Sequence, residues 1–115
     1  MSTNGCVFCL KVAEAGFARA GDVVTFEPLN PVTPGHLLVV PRRHVADAAE
    51  DPDVTAQAMR SAAVLARAIG GDCNIITSRG PMATQTVFHL HIHVVPRREG
   101  DGLHLPWTGQ RKKES

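Results

Sequence analysis

The sequence predicts a single α+β domain, and three observations carry that expectation. Several short apolar runs have the length of strands, one long alanine-rich run has helical spacing, and proline or glycine breaks separate them. At 115 residues the chain suits one domain with one modest core. Hydrophobic residues make up 43% and charged residues 20%, proportions that point to a globular domain. With a net charge of +1 there is no overall electrostatic drive toward nucleic acid or membranes. No apolar run approaches the ~18–20 residues needed to span a bilayer. Met1 to Gly5 lacks the pattern of a signal peptide, so a cytoplasmic location is expected.

Taken in order, Leu10 to Ala15 suits a short helix that stops at Gly16. A turn at Ala20-Gly21-Asp22 leads into a strand from Val23 to Phe26. Glu27 to Gly35 carries Pro28, Pro31 and Pro34, which neither a helix nor a central strand tolerates, so it is an ordered loop. His36 to Val40 is a nearly continuous apolar run ended by Pro41, and reads as a buried strand. Asp51-Pro52 is a helix start, with Asp51 as the cap and proline at the first helical position. Val54, Ala58, Ala62, Leu65, Ala66 and Ile69 fall on one face of that helix, and Gly70-Gly71 ends it. Asn74 to Ser78 is a further strand, Arg79-Gly80-Pro81 a turn, and Met82 to Thr86 an approach to the last strand. Leu103, Leu105 and Trp107 form a small apolar surface before a solvated tail.

The last strand holds the densest chemistry. In Val87 to Val95, histidines 89, 91 and 93 alternate with apolar residues, and strict alternation places them on one strand face. Three imidazoles would stand in a row, next neighbours roughly 6–7 Å apart. A single strand histidine is more often a hydrogen-bonded structural residue. Three in register make a cluster whose protonation its own members perturb, which points to a functional site. Cys6 and Cys9 form a Cys-x-x-Cys pair, which in a reducing compartment reads as a metal half-site or a redox motif. Cys73, beside Ile75-Ile76, reads as a plain buried residue. The basic pairs Arg42-Arg43 and Arg97-Arg98 and the terminal cluster are too short to indicate nucleic-acid binding.

The run His89-x-His91-x-His93, preceded by Gln85-Thr86-Val87-Phe88, resembles the signature of the histidine triad family. The likeness extends upstream through Asn30 to His36 and Val40 to His44, and covers roughly Cys6 to Pro96. It implies an antiparallel sheet with one long and one short helix, extended across a homodimer. A histidine triad domain is then expected over residues 1–107, with a basic, flexible tail over 108–115. The resemblance also implies a purine nucleotide or nucleotide conjugate as ligand, cleaved or transferred at the α-phosphate. Both phosphoramidase and dinucleoside polyphosphate hydrolase chemistry fit.

By this resemblance His91 matches the nucleophile, which would form a covalent nucleotidyl-histidine. His93 would donate to a phosphate oxygen, and His36 would orient the histidines or assist the leaving group. Asn30, Ser78, Gln85, Thr86 and Val87 are the expected substrate-binding residues. Cys6 and Cys9 with His44 and His89 would make a structural zinc site of the Cys₂His₂ type. No organic cofactor is implied. Pro28 stands where many members carry an acidic ribose ligand, leaving Asn30 or Glu27 to substitute; Thr84 and Ser78 replace a common glycine and asparagine. Two other readings of the same residues are a non-catalytic nucleotide-binding protein and a three-histidine catalytic zinc hydrolase.

Overall fold

Four short strands and two helices build the domain, and the computed structural model describes residues 6–14 and 22–105. In chain order they are α1 (Val7–Glu14), β1 (Val23–Phe26), β2 (Leu37–Pro41), α2 (Pro52–Ile69), β3 (Cys73–Ile76) and β4 (Ile92–Pro96), with a 3₁₀ turn at Pro81–Ala83. The expected helix stop at Gly16, the Ala20-Gly21 part of the following turn, Trp107 and the tail 108–115 lie outside the described residues.

The strands form one antiparallel sheet in the order β1-β2-β4-β3. The α+β class and the antiparallel sheet therefore stand. Alternation decides which side chains go to which face. Val39, Ile92 and Val94 point toward α2 and join Val54, Ala58 and Ala62 in the main core. Leu38 and Val40 point the other way and meet Val12 of α1 and Val24, with Phe8 and Phe26 packed alongside. The alanines let α2 approach the sheet closely; Ala58 and Ala62 are fully buried. Ile69, expected on this face, is 39% exposed because it sits in the last helical turn, beyond the end of the core.

Local chemistry sets the helix ends. Asp51 Oδ1 accepts from the backbone N–H groups of Asp53 and Val54, satisfying donors that have no intrahelical partner. Gly70 closes α2 through its N–H to the Ala66 carbonyl. At the entrance to β2, Gly35 has φ +86°, and a Cβ there would come within 3.2 Å of Pro96 Cγ. Glycine is thus required both for the left-handed turn and for the close approach that delivers His36 to the sheet.

β4 begins later than the alternation suggests, at Ile92 rather than Val87. The β2–β4 register pairs Val39 with Ile92, so continuing it would set Leu90 opposite Pro41. Proline has no N–H for the ladder, and pairing stops there. Leu90 and His89 are nevertheless both essentially inaccessible. Phe88, by contrast, is 47% exposed in the irregular approach. Cys73 is half-buried rather than enclosed.

Replacing Asp51 with alanine removes the α2 cap and is expected to cost about 1 kcal/mol. Urea denaturation should show a lower midpoint with an unchanged m-value.

Candidate active site and metal centre

The segment carrying the first two histidines is held by bonds that replace the missing ladder. Leu90 N–H donates to the Val45 carbonyl at 2.7 Å. The Thr77 hydroxyl donates to the His91 carbonyl at 2.7 Å, and His89 Nε2–H donates to the Pro41 carbonyl at 2.8 Å. That last bond settles the His89 tautomer and leaves its Nδ1 as a lone pair.

His89 Nδ1 faces a cluster. It lies 3.5 Å from Cys6 Sγ, 3.4 Å from Cys9 Sγ and 3.2 Å from His44 Nδ1, while Cys9 Sγ is 3.2 Å from His44 Nδ1. All four ligand atoms lie within 4.8 Å of one another. A tetrahedron with zinc–sulfur bonds of about 2.3 Å and zinc–nitrogen bonds of about 2.0–2.1 Å has edges of about 3.3–3.8 Å. The donor set fits a tetrahedral cation in its chemistry, and four of its six separations, at 3.2–3.5 Å, are close to those edges. The Pro41 carbonyl behind His89 is the outer-shell partner that such a ligand needs. Cys6 and Cys9 reach the cluster because α1 begins between them, with Cys9 N–H donating to Cys6 Sγ at 3.3 Å. Arg42 Nη1 donates to the Val12 carbonyl, adding a tie toward the other end of α1.

The other histidines form a second, separate array. Val32 N–H donates to His36 Nδ1 at 3.1 Å, which puts the His36 proton on Nε2. His36 Nε2–H donates to His93 Nδ1 at 2.9 Å, so neutral His93 carries its proton on Nε2. His91 donates from Nδ1 to the His89 carbonyl at 2.8 Å, which leaves a lone pair on Nε2. The Val32 N–H thus sets the tautomers of His36 and His93, and the His89 carbonyl sets that of His91. An Nε2 acceptor on His91 then lies beside an Nε2–H donor on His93, the ring centroids 5.3 Å apart.

Both of these histidines line a cavity of about 440 Å³ at the α1 side of the sheet. Phe8, Phe26, Leu29 and Leu38 supply apolar walls, and Glu27 adds a carboxylate. Thr86 and Val87 form the margin beside the histidines.

Burial lowers the pKa of His93 to about 4, helped by the neighbouring His91 and His36. His36 is lowered by burial alone. His89 is lowered first by burial and then by His44 and His91, against the opposing Pro41 hydrogen bond. Burial thus disfavours the charged forms of His36 and His93, the two members of the shared-proton chain.

The structure brings His36, His91, His93, Thr86 and Val87 together at or beside one cavity, and Cys6, Cys9, His44 and His89 together in the cluster. Three expected substrate residues stand apart. Gln85 is buried, with Oε1 accepting from Gly80 N–H and Nε2 donating to the carbonyls of Ala46 and Val87. Its amide braces the loop over residues 80–87 and does not line the cavity. Asn30 is exposed and Ser78 half-buried, and neither lines it. The expected row of three imidazoles is also corrected: His89 turns into the cluster because its ladder has ended, and only His91 and His93 remain adjacent across the cavity wall.

Sequence reasoning missed Thr77, which anchors the His91 carbonyl, and Phe8, whose ring packs edge-on to His91 at 4.9 Å. Thr77 gave no signal, being one hydroxyl at a strand end. Phe8 did, since it lies inside the Cys-x-x-Cys motif and must go wherever the cysteines go.

A small antiparallel sheet bearing a histidine array over a cavity defines a histidine triad protein. The family model described as "HIT domain" matches residues 12–100, and the chain belongs to this family. It is 39% identical over 108 residues to an uncharacterized HIT-like protein of Mycobacterium tuberculosis, covering 85% of this chain and 75% of that one. It is 32% identical to the adenosine 5'-monophosphoramidase of Saccharomyces cerevisiae, covering 91% and 71%. A HIT family structure from Bacillus subtilis superposes with a TM-score of 0.78 at 30% identity, covering 93% of this chain and 84% of the other. Among the described residues, no helix is long and apolar enough to cross a membrane.

His93 fixes the sign of a pH effect. In the unfolded chain it takes up a proton near its ordinary ~6.5, whereas the folded protein resists protonation until about 4. Its contribution is therefore complete above pH 6.5 and lost as pH falls toward 4. Chemical denaturation between pH 7 and 4.5 should show declining stability, with a shallower decline in His93→Gln.

Proposed function

We propose that this protein is a nucleotide hydrolase or nucleotidyl transferase acting at the α-phosphate of nucleoside monophosphate conjugates. The observation that carries the reading is the fixed tautomer pair at the cavity, an acceptor Nε2 on His91 beside an Nε2–H donor on His93. In this mechanism His91 Nε2 bonds to the α-phosphorus as the bond to the leaving group breaks. His93 Nε2–H donates to a phosphate oxygen, and the Thr86 hydroxyl and Val87 N–H complete the set of donors. The leaving group takes a proton from solvent as it departs; water then attacks phosphorus and gives a proton back to solvent, the phosphorus–nitrogen bond breaks, and His91 returns with its lone pair. His36 is a positioning residue, because both of its ring nitrogens are already engaged by Val32 and His93.

Phe8, Phe26, Leu29 and Leu38 suit a purine ring. Pro28 has no polar side-chain atom for the ribose, and Glu27 is the cavity residue able to accept from its hydroxyls. The phosphoramidase activity named for the yeast relative makes a phosphorus–nitrogen conjugate the first substrate to test, ahead of a dinucleoside polyphosphate. The four-ligand cluster is read as a structural zinc site held by Cys6, Cys9, His44 and His89. Zinc there supplies a cross-link between α1 and the histidine segment, with no part in the chemical step. Free thiols in this role suit a reducing cytoplasm. A homodimer joined through the sheet is supported by β3, which lies at a sheet edge with Ile75 exposed.

Mixing the protein with adenosine phosphoramidate or diadenosine tetraphosphate should yield an acid-labile adenylyl adduct in denaturing mass spectrometry. His91→Ala should remove the adduct and lower turnover by about 10³-fold or more, with nucleotide binding retained. An unaffected rate would reject the mechanism. Native mass spectrometry should show one zinc per chain, lost in Cys9→Ala together with a fall in Tm.

A further inference from the structure

Phe8 lies between two residues of the thiol–imidazole centre in sequence and against the nucleophile in space. Its ring meets His91 edge to face, with centroids 4.9 Å apart and an interplanar angle of 80°. It also meets His89 at 6.2 Å and 73°, and Phe26 at 5.6 Å and 68°. The His91 ring is therefore bounded by three contacts: its Nδ1–H bond to the His89 carbonyl, the His93 ring, and Phe8. Two of these three come from His89 or from the helix that carries Cys9 and begins just after Cys6.

The helix is short and only partly buried. An eight-residue helix is marginal alone in water. Of its described side chains, Val12 is the one fully buried, while Val7 and Leu10 are about half exposed or more. Its anchors include the thiols at one end, the Phe8 contacts, and the Arg42 bond to the Val12 carbonyl. The thiol contacts lie at the end of α1 that bears Phe8.

We propose that Phe8 is a positioning residue that couples the Cys6–Cys9–His44–His89 centre to the orientation of the His91 ring. Metal loading of the centre then regulates the nucleophile without the metal touching substrate. With the centre closed, Phe8 is pressed on His91 and the ring is confined to the rotamer that sends Nδ1–H to the His89 carbonyl. With the centre open, α1 relaxes, Phe8 withdraws, and the ring gains alternative orientations in which Nε2 is misdirected. The inference rests on reading His91 as the nucleophile and the cluster as a zinc site.

The test uses the full chain with ¹⁵N-labelled histidine, its His91 signals assigned with His91→Gln. Long-range ¹H–¹⁵N correlation spectra report which ring nitrogen carries the proton. Zinc-loaded wild-type protein should show one His91 species protonated at Nδ1, and chelation by EDTA should average or split it. Zinc-loaded Phe8→Leu should show the same averaging with its metal content unchanged, and Phe8→Tyr should restore the single species. In kinetics, Phe8→Leu should lower kcat by about tenfold, beyond any change in KM from the altered cavity wall. An unchanged His91 spectrum, either in zinc-loaded Phe8→Leu or after chelation of the wild type, would overturn the coupling. The spectra need no turnover, so absence of an adenylyl adduct would reject the proposed chemistry while leaving the coupling to stand or fall by itself.

Discussion

The buried imidazole of His89 is the interaction on which the rest of the site depends. It is inaccessible to solvent and placed where the sheet ladder has run out, so its polar atoms need partners from elsewhere. Nε2 finds the Pro41 carbonyl, and Nδ1 finds the thiols and His44. Those contacts join the end of β2, the connection after it, α1 and the approach to β4. The His89 carbonyl, meanwhile, orients His91. One residue, through its ring and its carbonyl, thereby fixes both the scaffold and the neighbour that faces the cavity.

The second array shows how a neutral histidine pair is given direction. Each imidazole has two nitrogens, and chemistry at the cavity depends on which of them bears the proton. Here the assignment starts at a backbone amide, Val32, in the proline-rich loop, and passes through His36 to His93. Loop stiffness matters because a mobile Val32 would leave the order of donors unset. Burial reinforces the arrangement by disfavouring the charged form of His36 and His93. Neutrality and direction come from the same packing.

Much of this was legible in the residues. The strand Val23–Phe26, the Asp51 cap, the alanine face of α2 and its stop at Gly70 rest on local rules, and each is where those rules put it. What failed had a nonlocal cause. The alternation of Val87 to Val95 is a sound strand pattern, but the partner strand ends in Pro41, and only the register reveals that clash. Gln85 is a polar residue beside the histidines, and its spacing cannot show that its amide is consumed by Gly80, Ala46 and Val87. Asn30 is exposed and Ser78 half-buried, and neither is among the residues that line the cavity.

The order of residues alone determined the α+β class, the one long helix, the loop before His36 and the identity of the chemistry-bearing side chains. These follow from periodicity, caps and residue type, which act over a few neighbours. Tertiary structure decided the division of those side chains into two working groups. Cys6 and His89 are 83 positions apart, and His36 and His93 are 57 apart. Whether such residues meet, and through which nitrogen, depends on strand register and on what each buried polar atom can find. Periodicity is a property of the chain; a tautomer is a property of the fold around it.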